Sequence, residues 1–393
     1  MKKIKCILIL GLAILMLAPN VVMAQENKGQ GQGLALTIDA KAAVIMEASS
    51  GEIIFEQNAD ERRAPASVTK VMTMLLIYEA LEQNRIAWDD VVTVSEFAAS
   101  MGGSQIYLEP MEQQTVRDLV KAVVIASAND GAVALAEYIS GSEESFVDLM
   151  NKKARALGME NTSFRNACGL DADGHFTTAR DIAIMSRELV TKYPHVEEFA
   201  TTWMDTIVHK TARGEEEFGL TNTNKLVKWY NGTTGLKTGS TGEAMYCLSA
   251  TAKRNDMELI AVVLGAPNPT TRFQEAMKML DYGYANYKVV KGELPGTVVG
   301  EISVTKGKEP QVAVMVENLI SNVTEKGSNV ELEGQITIHE GVAAPVEVGT
   351  PVGEIVYTYE GAEIGRSQLV TEEAVERAGF VDMVGRVLHI WFK

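Results

Sequence analysis

Three short groups of polar residues in this sequence could together carry out nucleophilic chemistry. The first is Ser67-Val68-Thr69-Lys70, which follows Pro65 and precedes a long apolar run, 71–81. Proline is favoured at the first turn of a helix and the run is rich in helix formers, so we predict a buried helix that begins here. Ser67 and Lys70 are three residues apart and therefore share one face of that helix.

A serine hydroxyl becomes an effective nucleophile when a neighbouring base accepts its proton. Lysine can be that base when burial lowers its pKa from about 10.4, and a helix that enters the core provides such burial. The spacing of Ser67 and Lys70 alone also fits an ordinary capped helix start. The chemical interpretation therefore depends on the other two groups.

The second group, Ser127-Ala128-Asn129, interrupts a helical pattern of apolar residues. Two helices joined by a tight turn would place the Ser127 hydroxyl and the Asn129 amide at a corner, although helix caps use the same residue types. The third group, Lys237-Thr238-Gly239-Ser240, precedes two apolar runs, 246–252 and 259–264. These runs predict a hairpin.

The start of the sequence predicts a secretory signal. Lys2, Lys3 and Lys5 precede a short apolar run, 7–17, and Val22-Met23-Ala24 offers small residues for cleavage after Ala24. The whole chain of 393 residues carries a formal charge of −16, and loss of the signal makes it more acidic. Such a charge argues against a nucleic-acid partner. Two cysteines remain, Cys168 and Cys247, and we expect both to be buried free thiols.

The rest of the chain divides into regions of different pattern. Strand-like runs at 42–47 and 52–56 predict a hairpin, brief strands are expected at 91–94 and 105–108, and a helix at 271–287 ends a mixed region over 30–290. From 296 to 370, short β-rich runs alternate with Gly and Pro, which predicts an all-β sandwich or small barrel.

The C-terminal stretch predicts an amphipathic helix within 375–393. At 100° per residue, the polar residues and glycine fall on one side, and apolar residues fill a wide arc that includes Phe380, Trp391 and Phe392. We expect this helix to lie in a membrane interface, since the 14 residues from Phe380 to Lys393 span only about 21 Å and are too short to cross a bilayer. The alternative is a helix that docks on its own protein.

Taken together, the three groups resemble the motif set of penicillin-binding proteins and class A β-lactamases. Their order, the segment Asn224-Lys225-Leu226 and the blocks at 169–181 and 235–239 are similar to the low-molecular-mass penicillin-binding proteins, which are serine-type D-alanyl-D-alanine carboxypeptidases. The resemblance implies an α/β (α+β) fold: a β-lactamase/transpeptidase-like catalytic domain with an antiparallel sheet flanked by helices, a small all-β sandwich domain and a C-terminal amphipathic membrane anchor.

The resemblance also implies a reaction on peptidoglycan stem peptides that end in D-Ala-D-Ala. Ser67 would attack the carbonyl between the two D-alanines, Lys70 would take the hydroxyl proton, and Ser127 would relay a proton to the leaving amine. The protein would work without metal or cofactor at the outer face of the cell membrane, and β-lactams would be covalent inhibitors.

Substrate binding is assigned to five further residues on the same basis. Asn129 would bond to the substrate amide or steady Lys70. Lys237, which would also help to keep Lys70 neutral, and Thr238 would bind the terminal carboxylate. Gly239 would let the strand approach the ligand, and the Ser67 and Ser240 amides would form an oxyanion hole.

Departures from the family pattern keep two alternatives open. Residue 240 is Ser where relatives often have His or Tyr, and no Glu-x-x-Leu-Asn element occurs near 158–166. A β-lactamase is one alternative, although the missing element disfavours it; a β-lactam-binding sensor without turnover is the other. We expect His175 to pack near the site, and His195 and His209 to have surface or structural roles.

Overall fold

The computed structural model describes residues 36–211, 214–328 and 332–391, so the predicted secretory signal at 1–24 lies outside the described residues. The strands are β1 Ala42–Glu47, β2 Ile53–Gln57, β3 Val91–Thr93, β4 Gln113–Thr115, β5 Met204–Thr211, β6 Gly214–Thr221, β7 Thr233–Thr241, β8 Met245–Arg254, β9 Met257–Ala266, β10 Tyr287–Lys291, β11 Val298–Thr305, β12 Gln311–Val316, β13 Ser321–Glu325, β14 Glu333–Ile338, β15 Val342–Ala343, β16 Pro351–Tyr359 and β17 Ala362–Thr371. The helices are α1 Lys70–Glu82, α2 Glu96–Ala99, α3 Val116–Lys121, α4 Asn129–Ser140, α5 Glu143–Ala156, α6 Ala179–Lys192, α7 Val196–Ala200, α8 Leu226–Trp229, α9 Pro269–Asn286 and α10 Phe380–Trp391. In these described ranges, none of the helices combines the length and the apolar character that a membrane crossing requires.

A five-stranded antiparallel sheet forms the centre of the first region, with strand order β2-β1-β9-β8-β7. Its inner strands are buried on both faces because helices cover both. On one face Ser186 of α6 hydrogen-bonds to Ser249 of β8 at 2.8 Å. On the other, Gly283 of α9 packs against Leu259 of β9. The predicted hairpins β1–β2 and β8–β9 are confirmed, and β7 forms an edge of the sheet.

Helix α1 is surrounded by protein on nearly every side, which confirms the buried helix that the apolar run predicts. All of its residues from Lys70 to Tyr78 are buried. It begins at Lys70, and the four residues before it, Ala66–Thr69, form a 3₁₀ turn. The interruption at 127–129 is also confirmed as a helix junction: a π turn, Ala122–Ala126, leads through Ser127 into α4.

Two predictions about secondary structure between α1 and β7 are wrong or incomplete. Residues 105–108 form no strand, because the buried Asp130 carboxylate accepts hydrogen bonds from the Ile106 and Leu108 N–H groups and holds this backbone in place. The sequence analysis also missed the β5–β6 hairpin. Strand β6 carries three consecutive glutamates and is exposed over most of its length, so it lacks the alternation of a half-buried strand.

The C-terminal region is a β structure, as predicted. Six strands form a sheet in the order β14-β16-β17-β12-β11-β15, and β10 pairs with β13 beside it. Its core is built from Val314, Val352, Tyr357 and Leu369 with their neighbours. Strand β10 follows α9 directly. Helix α10 follows the sheet at the C-terminal end of the described chain.

Candidate active site

The first motif lies on the turn that leads into α1. Ser67 is half-buried in the 3₁₀ turn, and Lys70 is fully buried as the first residue of the helix. The Lys70 Nζ lies 3.1 Å from the Ser67 Oγ. An amine at this distance can exchange a proton directly with the hydroxyl, so the geometry satisfies the requirement for a nucleophile and its base.

The Lys70 amine has three hydrogen-bond acceptors around it. Besides the Ser67 Oγ, it donates to the Asn129 Oδ1 at 2.5 Å and to the Cys168 carbonyl at 2.7 Å. Burial lowers the pKa of Lys70 to about 8, although the Cys168 thiol and the Asp130 carboxylate act in the opposite direction. An appreciable fraction of the amine is therefore neutral near neutral pH and can accept a proton.

The second motif contributes a hydroxyl and an amide at the junction before α4. Ser127 adopts a left-handed backbone conformation, φ 65°, and its buried Oγ has no hydrogen-bond partner among the described residues. Asn129 starts α4; its Oδ1 accepts from Lys70 and its Nδ2 donates to the Gly102 carbonyl at 2.6 Å. A buried hydroxyl without a hydrogen-bond partner costs free energy. A bound substrate that hydrogen-bonds to the Ser127 Oγ would remove this cost.

The third motif lies on β7 at the edge of the central sheet. Lys237 is buried, and its Nζ donates to the Thr238 carbonyl at 3.2 Å; the Thr238 hydroxyl donates to that of Thr223 at 2.7 Å. Ser240 is exposed. Burial and, next, the positive charge of Lys70 hold the pKa of Lys237 well below its usual range. Burial is also the main cause of the lowered pKa of Lys70, as the sequence analysis predicts from the apolar helix.

Gly239 allows β7 to lie against the 3₁₀ turn Ala66–Thr69, which carries Ser67. A Cβ at this position would lie 2.9 Å from both the Ser67 and Val68 amide nitrogens and 3.0 Å from the Pro65 carbonyl oxygen. Backbone atoms cannot yield to such a contact as a flexible side chain can. Glycine is therefore required here for steric reasons, which agrees with the role expected of Gly239 in the motif.

A methyl group at residue 239 should consequently impair the site. We expect Gly239→Ala to lower the rate at which penicillin acylates Ser67 by about 10²-fold, since a displacement of about 1 Å of reacting groups can have this effect. Gly242→Ala is the matched control, because a Cβ at residue 242 meets no atom within 4 Å. Equal acylation rates for both variants, measured with a fluorescent penicillin, would show that the close contact is unimportant.

Sequence reasoning missed several groups that support the site. Arg272 of α9 donates to the Gly239 carbonyl at 3.0 Å and so fixes β7 from behind. The Cys168 carbonyl binds Lys70, but a backbone group leaves no sign in the sequence. Thr223 lies in the loop between β6 and α8, and its contact with Thr238 depends on how that loop folds back.

His175, His195 and His209 make no hydrogen bond to Ser67 or Lys70 in the described part of the chain. His175 Nδ1 accepts from the Arg165 N–H at 3.2 Å, so Nε2 carries the proton and donates to Thr69 at 2.9 Å. Burial lowers the pKa of His175 to about 4, which keeps it neutral. His209 contacts Glu112 at 2.7 Å, and His195 is exposed. Both cysteines are buried free thiols, as expected.

Comparison with known proteins identifies the family. Residues 26–268 match the family described as D-alanyl-D-alanine carboxypeptidase, and residues 288–377 match the C-terminal domain of penicillin-binding protein 5. D-alanyl-D-alanine carboxypeptidase DacF of Bacillus subtilis is 41% identical over 394 residues, covering 100% of both chains. DacC of Escherichia coli is 36% identical over 97% of this chain and 96% of its own.

Solved structures agree with this comparison. Penicillin-binding protein 5 from Haemophilus influenzae has a TM-score of 0.70 and 31% identity, covering 88% of this chain and 100% of its own. The peptidoglycan synthesis regulatory factor PBP3 from Streptococcus pneumoniae has the same TM-score with 29% identity, over 87% of this chain and 100% of its own. The chain therefore belongs to the D-alanyl-D-alanine carboxypeptidase family, with the fold that the sequence predicts.

Proposed function

We propose that this protein is a serine-type carboxypeptidase that removes the terminal D-alanine from peptidoglycan stem peptides through an acyl-enzyme at Ser67. The observation that carries the proposal is the contact between the Ser67 hydroxyl and the buried Lys70 amine, whose lowered pKa suits it to accept a proton. Family membership supplies the substrate class, D-Ala-D-Ala peptides, and explains the expected reaction with β-lactams.

In the first half of the reaction, the Ser67 Oγ forms a bond to the carbonyl carbon between the two D-alanines. Lys70 takes the hydroxyl proton, and the carbon–nitrogen bond breaks once the leaving amine has received a proton through Ser127. The unpartnered Ser127 Oγ supports this relay, because it can bond to the amine of a bound substrate. Water then hydrolyses the ester and regenerates the serine.

Strand β7 is the proposed binding edge for the substrate. Its backbone approaches the Ser67 amide so closely that only glycine fits at residue 239. The Ser67 and Ser240 N–H groups would together stabilise the oxyanion, while Lys237 and Thr238 bind the terminal carboxylate and Asn129 orients the substrate amide. The low pKa of Lys237 is expected to rise when the carboxylate arrives, since an opposite charge favours the ammonium form.

Release of D-alanine from diacetyl-Lys-D-Ala-D-Ala is the direct test of this function. We expect release from this peptide and none from the same peptide ending in L-Ala, which places the methyl group differently against β7. Cleavage of each peptide is measured by mass spectrometry as loss of its terminal alanine, which detects release of either enantiomer. Equal hydrolysis of both peptides, or of neither at high enzyme concentration, would contradict the proposal.

Penicillin should inhibit the protein and persist on it. No carboxylate hydrogen-bonds to Ser67 or Lys70 in the part of the chain that the structure describes, so the ester lacks the carboxylate with which class A β-lactamases activate water for deacylation. We expect the penicilloyl adduct to remain visible by intact-protein mass spectrometry long after the free drug is removed. Rapid loss of the adduct, with many drug molecules hydrolysed per protein, would favour the β-lactamase alternative.

We also propose that α10 holds the protein at the outer face of the cytoplasmic membrane after secretion. Phe380 and Trp391 are each 83% exposed and Val381 is 81% exposed, which argues against the alternative that the helix docks on its own protein. A short helix with exposed aromatic residues at both ends suits an interface between lipid and water.

Deletion of residues 380–393 should separate membrane binding from catalysis. We expect the full mature chain to sediment with phospholipid vesicles and the truncated chain to stay in the supernatant. Both should release D-alanine at the same rate, because no hydrogen bond of the described residues joins α10 to a site residue. Vesicle binding by the truncated chain would contradict the anchor.

A further inference from the structure

A loop outside the three motifs provides one of the acceptors of Lys70. Residues 166–170 form neither helix nor strand, and two side chains on one face of α1 hold them. The Thr73 hydroxyl donates to the Ala167 carbonyl at 2.6 Å, and the Lys70 Nζ donates to the Cys168 carbonyl at 2.7 Å. The position of the second carbonyl therefore depends on whatever shapes this loop.

The Asn166 side chain shapes it. Its Oδ1 accepts from the N–H groups of Cys168 at 3.3 Å, Gly169 at 2.6 Å and Leu170 at 3.1 Å. Its Nδ2 donates to the Leu170 carbonyl at 2.9 Å. One amide thus closes the turn by four contacts, in a way that asparagine favours in turns.

The same turn also touches the nucleophile segment. Gly169 has φ +89°, and a Cβ there would lie 1.9 Å from the Ala66 carbonyl oxygen and 2.9 Å from the Ser67 nitrogen. The turn therefore packs directly on the backbone of Ser67 while its Cys168 carbonyl faces Lys70. A change in the shape of this turn would therefore displace both Ser67 and Lys70, the two partners of the proton transfer.

We propose that Asn166 is a positioning residue for the reaction: by closing the turn at 168–170, its amide holds the Cys168 carbonyl against the Lys70 amine and keeps that amine aimed at Ser67. The inference rests on the proposed function, in which Lys70 is the base. Asn166 itself touches neither Ser67 nor Lys70, so it acts through the backbone carbonyl.

The charges around Lys70 determine how the loss of this carbonyl would be observed. Asp130 of α4 and the Cys168 thiol favour the ammonium form of Lys70, and the positive charge of Lys70 in turn lowers the pKa of Lys237 on β7. Glu143 of α5 lies near the loop, where it accepts from the Ala167 N–H. A carbonyl acceptor also favours the ammonium. Removing it should lower the pKa of Lys70, and adding a negative charge to the turn should raise it.

The test compares Asn166→Ala with Asn166→Asp in the full mature chain. The measurement is the second-order rate of Ser67 acylation by a fluorescent penicillin from pH 5 to 10. For Asn166→Ala we expect the rising limb to move to lower pH by about one unit and the plateau to fall about tenfold. Asn166→Asp keeps the acceptor oxygen for the three N–H groups and adds a negative charge to the turn. Because this charge should raise the pKa of Lys70, the rising limb should move to higher pH.

A control variant and the wild type distinguish failure of this inference from failure of the proposed function. Asn318→Ala, in the β region, is the matched control and should leave the profile unchanged. A lowered plateau with the wild-type inflection in both Asn166 variants would mean a purely structural role and would overturn the inference. If Asn166→Ala does not fold by circular dichroism, Asn166→Asp decides alone: an unshifted limb overturns the inference. Absence of any adduct at Ser67 in the wild type would instead contradict the proposed function.

Discussion

Replacing Ser67 by alanine is expected to abolish both D-alanine release and the penicillin adduct. The hydroxyl is the group that would form the acyl-enzyme, and no other nucleophile contacts Lys70 in the part of the chain that the structure describes. Loss of a catalytic serine can cost about 10⁶-fold in rate, so the variant should show only background hydrolysis. The measurement is D-alanine release together with intact-protein mass after exposure to penicillin.

Folding should survive this change, so the loss can be assigned to chemistry. Ser67 is half-buried, and its side chain hydrogen-bonds only to the Lys70 amine among the described residues. Ser303→Ala, on an exposed position of β11, is the matched control and should keep full activity. A penicillin adduct on the Ser67→Ala protein would place the nucleophile elsewhere and would remove the basis of the proposed mechanism.

The motif residues could be identified from the sequence because each is fixed by short-range rules. Ser67 and Lys70 meet because their three-residue spacing brings the side chains to one face, and the apolar run predicts the burial that lowers the pKa of Lys70. The helix break places Ser127 in a left-handed conformation at the junction, as a tight turn would. Such local features leave a signal in the residue order.

The supporting groups could not be identified because they depend on tertiary contacts. The Cys168 carbonyl reaches Lys70 across 98 residues of chain, and Arg272 reaches the Gly239 carbonyl from a helix behind the sheet. The prediction of a strand at 105–108 was wrong for the same reason: the Asp130 carboxylate, more than 20 residues away, accepts hydrogen bonds from the N–H groups of this segment. No local pattern reports a distant carboxylate or a backbone carbonyl.

Replacing Lys70 by methionine should remove the base while filling nearly the same volume. Without a neighbouring base the serine hydroxyl stays protonated, so we expect acylation by penicillin to fall about 10²–10⁴-fold. Lys70→Arg is the second variant: it restores a positive charge but cannot give up its proton, so it should be as inactive as Lys70→Met. Acylation by Lys70→Arg at the wild-type rate would show that the charge, rather than proton transfer, is what Ser67 needs.

The Lys70→Met variant should also reveal the lowered pKa in stability. In the unfolded chain lysine titrates near 10.5, whereas folded Lys70 titrates at about 8, so between these pH values the unfolded state binds more protons and the free energy of unfolding rises with pH. The rise is on the order of 3 kcal/mol. We expect it in the difference between wild type and Lys70→Met, measured by urea unfolding at pH 7.5 and 10.5. Because this difference cancels the titration of all groups that Lys70 does not influence, a pH-independent value would mean that Lys70 is not the low-pKa base on which the mechanism depends.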